Sequence, residues 1–319
     1  MGLALLFPGQ GSQKVGMGLD FYEAYPESRE VFQEADEQLR MHLSRLIFEG
    51  PEEELAKTEF TQPAMFTVCT AVWRALQREF GEAVKPLLLA GHSLGEYTAL
   101  CAARVFSFAK GVELVRNRGK FMQEAVPLGE GKMAAIMGLS DEEVTSICRE
   151  VEERSGRVCD AANFNAPSQV VISGHADAVD MAMSMARERG AKRVVELKVS
   201  APFHSKLMVP VAARLKELFE EIKFSDPAVP VVANYTALPV STAEEVKEAL
   251  YHQTYSPVLW TRSVEHMAKK GVSTYLEVGP GGVLKGLVKK IDPRGKAVGV
   301  ESTSDLRALE QLLSGGEAR

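Results

Sequence analysis

The chain has 319 residues, of which 45% are apolar and 25% charged, with a net charge of −6. That length buries a substantial core and leaves room for more than one domain. The acidic balance gives no electrostatic case for nucleic-acid binding, and no apolar run reaches the ~20 residues that a membrane-spanning helix needs.

Residues 3–7 form an apolar run that reads as a buried strand, closed by Pro8-Gly9-Gln10-Gly11-Ser12-Gln13. Helical patterns follow near 20–48, with Gly50-Pro51 as a break, and over 62–80. Pro86-Leu87-Leu88-Leu89-Ala90 reads as a second buried strand. It enters Gly91-His92-Ser93-Leu94-Gly95, a match to G-x-S-x-G, and the helical stretch 96–103. Strand, tight turn and helix are the setting of a nucleophile elbow, which exposes Ser93 Oγ at the start of a helix. There the helix dipole and free backbone N–H groups favour a developing oxyanion. Without those flanks the pattern fits equally a Gly-rich turn whose serine caps a helix. A helix near 107–124 follows. The alternation argues an α/β layer with a mainly parallel sheet.

Pro127-Leu128-Gly129-Glu130-Gly131 marks a boundary. Beyond it, 133–139 is strand-like, and Ser140 with Glu143 forms a capping box. Strands at 158–164 and 169–173 flank the loop Asn165-Ala166-Pro167-Ser168. A helix at 177–189 ends at Gly190, and 193–199 is a fourth strand. The order β-α-β-β-α-β is the ferredoxin-like signature. The predicted organisation is therefore a large domain in two parts, 1–127 and 200–319, with a small domain at 128–199 inserted between them. A helix near 206–221, a strand at 229–234, a helix at 243–252 and a strand at 274–278 complete the large domain. Gly279-Pro280-Gly281-Gly282 then starts a helix. It lacks the lysine and spaced glycine of phosphate loops and reads as a structural turn. Residues 314–319 read as a loose tail.

A serine hydroxyl needs a base, and histidine has the suitable pKa. Of the six histidines, His92 points away from a tight elbow, His42 and His266 lie in helical patterns, and His175 starts a helix. His204, in Pro202-Phe203-His204-Ser205, sits where the chain re-enters the large domain, and His252 is its rival. No acid partner is recognisable, so a carbonyl that orients the imidazole is an alternative. Arg118 lies in a helix, where most arginines are solvated; a buried one could grip a carboxylate through its planar fork. Cys69, Cys101, Cys148 and Cys159 have no metal-ligand spacing and read as reduced thiols. No secretory leader is recognisable, and a cytoplasmic enzyme is expected.

Phe7-Pro8-Gly9-Gln10-Gly11-Ser12-Gln13, Gly91-His92-Ser93-Leu94-Gly95-Glu96-Tyr97, Arg118-Gly119 with Met122-Gln123, Asn163-Phe164-Asn165, Pro202-Phe203-His204-Ser205, Gln253 with Pro257-Val258, and Glu277-Val278-Gly279-Pro280 occur in one order across nearly the whole chain. Together they resemble the malonyl-CoA:acyl carrier protein transacylase family. The resemblance implies a hydrolase-like α/β large domain with a ferredoxin-like insert. It implies Ser93 as nucleophile, His204 as base, and Gln253 as the residue whose carbonyl orients the histidine. It implies the backbone N–H groups of Gln10 and Leu94 as the oxyanion hole and Arg118 as the partner of the malonyl carboxylate. Phe203 resembles the bulky residue of malonyl-selective members. Asn163 and Asn165 are expected on a loop facing the site. The implied partners are malonyl-CoA and acyl carrier protein, with no cofactor, no metal, no nucleic acid and no membrane, and the expected state is a monomer. Lys192, Arg193, Lys285, Lys289 and Lys290 are candidates for docking the acidic carrier. A thioesterase or a non-catalytic carrier-binding scaffold would share the elbow; the arginine argues against the first and the intact Ser93 and His204 against the second. The span of the chain suggests a free-standing enzyme rather than a loading domain of a larger synthase.

Overall fold

The computed structural model describes residues 2–199 and 201–314. Ten strands occur among them, in chain order β1 (Gly2–Phe7), β2 (Leu88–Gly91), β3 (Gly131–Met137), β4 (Cys159–Ala166), β5 (Gln169–His175), β6 (Arg193–Glu196), β7 (Val231–Val232), β8 (Pro239–Val240), β9 (Val272–Val278) and β10 (Lys296–Val300). They form a six-stranded sheet of order β10-β9-β1-β2-β7-β8 and a four-stranded sheet of order β4-β5-β3-β6.

The larger sheet is parallel except for β8. Its centre, β1, is apolar throughout because both faces are covered. The period of two sends Leu3, Leu5 and Phe7 to one core and Ala4 and Leu6 to the other. Each fully buried aliphatic or aromatic side chain contributes about 1.5–3 kcal/mol. In such sheets ligands bind beyond the carboxyl ends of the strands. Phe7 pairs with Gly91 at that end, so the turns after β1 and β2 emerge side by side.

The smaller sheet is antiparallel and its strand order is that of the ferredoxin-like arrangement. One face packs on the helices Asp141–Ser155 and Ala176–Glu188 through Ile136, Val144, Ile147, Ile172 and Val179. The other face carries Met133, Ala135, Ala162 and Val171, with Phe203 packed on them. The capping box at Ser140 and Glu143 is formed.

Several expected elements are shortened or divided. The 20–48 pattern is three helices, Leu19–Ala24, Pro26–Leu39 and Leu43–Glu49. The 229–234 strand keeps only Val231–Val232 in the ladder; Pro230 has no N–H to donate, and the Asn234 N–H goes to Glu96 instead. The fourth strand of the small sheet ends at Glu196: the Leu197 N–H still donates to the Met133 carbonyl at 2.9 Å, but the Val199 N–H turns back to the Leu197 carbonyl at 3.0 Å. Strand β4 runs on to Ala166, so Asn163 and Asn165 belong to the strand and not to a loop. Within the expected tail, 315–319 lies outside the described residues.

Candidate active site

The elbow is dictated by close backbone approach. A Cβ on Gly91 would lie 2.0 Å from the Gly95 carbonyl oxygen, and one on Gly95 would lie 2.0 Å from the Phe7 carbonyl oxygen. Only glycine fits at either position. Between them Ser93 adopts φ 52° and ψ −106° at the N-cap of the helix Leu94–Ala102. A non-glycine residue held there costs about 1–3 kcal/mol, which the surrounding structure must offset.

His204 Nε2 lies 2.7 Å from Ser93 Oγ. Its Nδ1 lies 2.8 Å from the main-chain carbonyl oxygen of Gln253. A carbonyl only accepts, so Nδ1 carries the hydrogen and Nε2 is left to accept the serine proton. No acid is needed for that orientation. Burial and the positive charge of Arg118 push the imidazole down to about 3, which keeps it neutral at pH 7. His252 is elsewhere: its ring stacks on Tyr235 at 4.7 Å and its Nδ1 is hydrogen-bonded to the Tyr255 hydroxyl at 2.7 Å.

Arg118 projects from the helix Phe108–Glu124 and is 2% exposed. It donates to Gln62 Oε1 at 2.8 Å, to Gln253 Oε1 at 3.0 Å and to Ser93 Oγ at 3.1 Å. Its guanidinium carbon lies 5.1 Å from the centre of the Tyr97 ring. All these partners are neutral, Nε has none, and among the described residues Arg118 forms no ion pair. Glu96 acts on it only at a distance; a buried cation beside a nucleophile, with no carboxylate hydrogen-bonded to it, can receive one.

The turn after β1 lies against the elbow. His92 N–H donates to the Phe7 carbonyl at 3.1 Å, and a Cβ on Gly9 would meet the His92 carbonyl oxygen at 2.4 Å. The backbone N–H groups of Gln10, in this turn, and of Leu94, at the helix start, donate to no acceptor among the described residues. Two unengaged donors flanking a nucleophile are the raw material of an oxyanion hole. The Gln10 side chain is held by Thr58 Oγ1 at 3.1 Å.

The chemistry available at such a centre is acyl transfer through a serine ester. The acyl transferase domain family matches residues 4–297. The malonyl CoA-acyl carrier protein transacylase of Bacillus subtilis is 46% identical over 311 residues, covering 98% of this chain and 97% of the relative. That of Escherichia coli K12 is 47% identical over 309 residues, covering 97% and 99%. The chain belongs to the malonyl CoA-acyl carrier protein transacylase family. The solved acyl carrier protein S-malonyltransferase of Vibrio cholerae superposes with a TM-score of 0.93 at 43% identity, covering 97% of this chain and 100% of that one. A malonyl-transacylase solved in complex with a type II polyketide synthase acyl carrier protein gives 0.94 at 43% identity, covering 99% and 100%.

In this transacylase-family fold the remaining residues named from the sequence fall as follows. Asn163 is buried on β4, bridged to Val258. Asn165 Oδ1 accepts from His92 Nε2 at 2.7 Å, which ties the small sheet to the elbow. Phe203 is half-buried between the large core and the small sheet. The Gly279–Gly282 turn leads into a helix whose first N–H groups, of Leu284 and Lys285, donate to Glu277 at 3.1 and 2.7 Å; that carboxylate occupies the place a phosphate would take. Lys192, Arg193, Lys289 and Lys290 are exposed and Lys285 half-buried.

Gln62, Glu96 and Asn234 were not anticipated as site residues. Each carried a signal: Glu96 is the one charge in an otherwise apolar helix, and Asn234 closes an apolar strand at the carboxyl edge of the sheet. Gln62 had none beyond its place in a mostly apolar helix.

Proposed function

We propose that this acyltransferase moves a malonyl group from coenzyme A to the phosphopantetheine thiol of an acyl carrier protein, supplying fatty-acid synthesis. Ser93 is the nucleophile and His204 the base. The observation that carries the choice of acyl group is Arg118, buried beside Ser93 with only neutral partners. A malonyl carboxylate would complete its environment, whereas an acetyl group would leave the guanidinium with no carboxylate bonded to it.

The reaction runs in two balanced halves. His204 Nε2 takes the hydroxyl proton while Ser93 Oγ bonds to the thioester carbon. The oxyanion is met by the N–H groups of Gln10 and Leu94. The intermediate collapses, the carbon–sulfur bond breaks, and coenzyme A leaves with the proton returned by His204. The carrier thiol then gives its proton to His204 and attacks the ester. The carbon–oxygen bond breaks and Ser93 regains its hydrogen. No step consumes a cofactor, and both residues come from one chain, so a monomer suffices. The carrier as acceptor is supported by the similar transacylase solved with its carrier protein. The segment 128–199 is read as an inserted domain walling the site, on the strength of the Asn165–His92 bond and the packing of Phe203. The four cysteines are unpaired, in keeping with a cytoplasmic enzyme.

Intact-protein mass spectrometry after mixing with malonyl-CoA tests the proposal. The expected result is one added malonyl group that maps to Ser93, disappears on adding carrier protein, and never forms in Ser93→Ala. A full-level adduct in Ser93→Ala would refute the mechanism.

A further inference from the structure

Ser93 and His204 meet across 111 positions of sequence, and each has a positive φ, 52° and 56°. Their alignment therefore depends on what holds each segment. Two side chains outside the proposed chemistry do so. The Asn234 amide brackets the elbow: Nδ2 donates to the Gly91 carbonyl at 2.7 Å, and Oδ1 accepts from the Ser93 N–H at 2.7 Å. Glu96 joins this clamp to the histidine. Its Oε2 accepts from the Asn234 backbone N–H at 3.0 Å and from Gln253 Nε2 at 3.0 Å.

Gln253 is where the strands of this network converge. Its Nε2 also donates to the Ser93 carbonyl at 2.9 Å, its Oε1 accepts from Arg118 at 3.0 Å, and its main-chain oxygen accepts from His204 at 2.8 Å. The Glu96 carboxylate decides which way that amide faces. A flipped amide would set its oxygen against the carboxylate and its NH₂ against the guanidinium. Glu96, Asn234 and Gln253 are at most 1% exposed. Among the described residues Glu96 forms no ion pair, so its burial carries a cost that packing does not repay. That burial pushes its carboxyl up to about 7, against the pull of its two donors and of Arg118.

We propose that Glu96 and Asn234 are positioning residues for acyl transfer. Asn234 holds the elbow so that Ser93 is aimed at His204. Glu96 locks the Gln253 amide, so that the aim of Arg118 and the seat of His204 are set by one residue. The proposal rests on the serine–histidine reading above.

The test compares Asn234→Ala, Glu96→Ala and Glu96→Gln with the unaltered protein. The readouts are the single-turnover rate of loading from malonyl-CoA, the KM for malonyl-CoA and the circular-dichroism spectrum. Both alanine variants should load about 100-fold more slowly, the effect of a misplacement of ~1 Å, with KM changed far less. Glu96→Gln keeps an oxygen acceptor of the same reach and should recover most of the rate. Asn234→Asp keeps the acceptor for Ser93 N–H but loses the donor to Gly91; it should also load slowly, and it serves if Asn234→Ala does not fold. Folded alanine variants that load at the unaltered rate, or whose loss falls wholly on KM, would overturn the proposal. Glu96→Gln as slow as Glu96→Ala would overturn the part assigned to Glu96. Ser93→Ala and His204→Ala run alongside. Full transfer by those two would refute the underlying mechanism; their inactivity beside fully active Asn234 and Glu96 variants would refute the positioning role alone.

Discussion

His204 is oriented by the main-chain carbonyl of Gln253, at 2.8 Å from Nδ1, and not by a side-chain acid. The carbonyl carries no formal charge, so it selects the tautomer without adding a buried carboxylate next to the imidazole. The Gln253 side chain does separate work, between Arg118, Glu96 and the Ser93 carbonyl.

The division has a consequence for mutagenesis. His204→Ala should lower transfer by about 10²–10⁴-fold, the range for losing a general base. Gln253→Ala keeps the carbonyl but loses the amide that Glu96 locks; it should cost at least the ~100-fold expected of Glu96→Ala but less than His204→Ala, with the loss weighted toward malonyl over other acyl donors because Arg118 loses a partner. Steady-state transfer rates of both variants check this. A Gln253→Ala as slow as His204→Ala would show that the side chain, not the carbonyl, dominates.

On the proposed reading, Arg118 and Phe203 set the choice of substrate. Acetyl-CoA should be a poor donor for the unaltered protein, and Arg118→Ala should narrow the malonyl-over-acetyl preference mainly by slowing malonyl loading. Methylmalonyl-CoA should be disfavoured by about 10–200-fold, the range that one methylene gives in a pocket. Phe203→Ala should narrow that second preference. Competition assays with the three donors read both ratios, and equal use of acetyl and malonyl donors by the unaltered protein would remove Arg118 from its role.

Acid stability should carry the mark of His204. Its imidazole is held down from 6.5 to about 3 in the folded chain. The unfolded chain therefore binds the proton first, and stability is lost as pH falls from about 6.5 toward 3. His92 is shifted in the same direction by burial, so the contribution of His204 is isolated by difference. The melting temperature of His204→Gln should fall less steeply over that window than that of the unaltered protein. Parallel slopes would mean that His204 ionises freely in the folded state.

Carrier docking should depend on exposed cations. Lys289 and Lys290 lie in the last turn of the helix Val283–Ile291, and the Gly279–Gly282 turn that precedes this helix packs on Pro8 and Ser12 beside the site. Reversing both to glutamate should raise the KM for the carrier protein and flatten its salt dependence, while the KM for malonyl-CoA stays put. Titrations at two ionic strengths decide the matter, and an unchanged carrier KM would exclude this patch.

The elbow was legible in the sequence because its causes are local. Gly91 and Gly95 flank Ser93 within five positions, and the apolar strand before them and helix after them are read from neighbours alone. The small sheet was legible for the same reason: its turns, the Ser140 capping box and its alternating strands are short-range features. The short strands β8 and β10 were not. Two residues of pairing in β8, and an edge strand in β10 that is mostly half-exposed, leave no hydrophobic period to read. Nor could residue patterns separate His204 from His252, since each simply follows or ends a predicted element. The family resemblance singled out His204, and packing shows why: His204 reaches Ser93 while His252 stacks among tyrosines. The Gln253 carbonyl is a main-chain atom that every residue possesses, so residue chemistry does not announce it and only the resemblance pointed to it. Glu96, Asn234 and Gln62 acquire partners from segments 56 to 157 positions away. Local sterics are written in adjacent residues, but burial and cross-chain hydrogen bonds exist only once the sheet has brought distant turns to one edge.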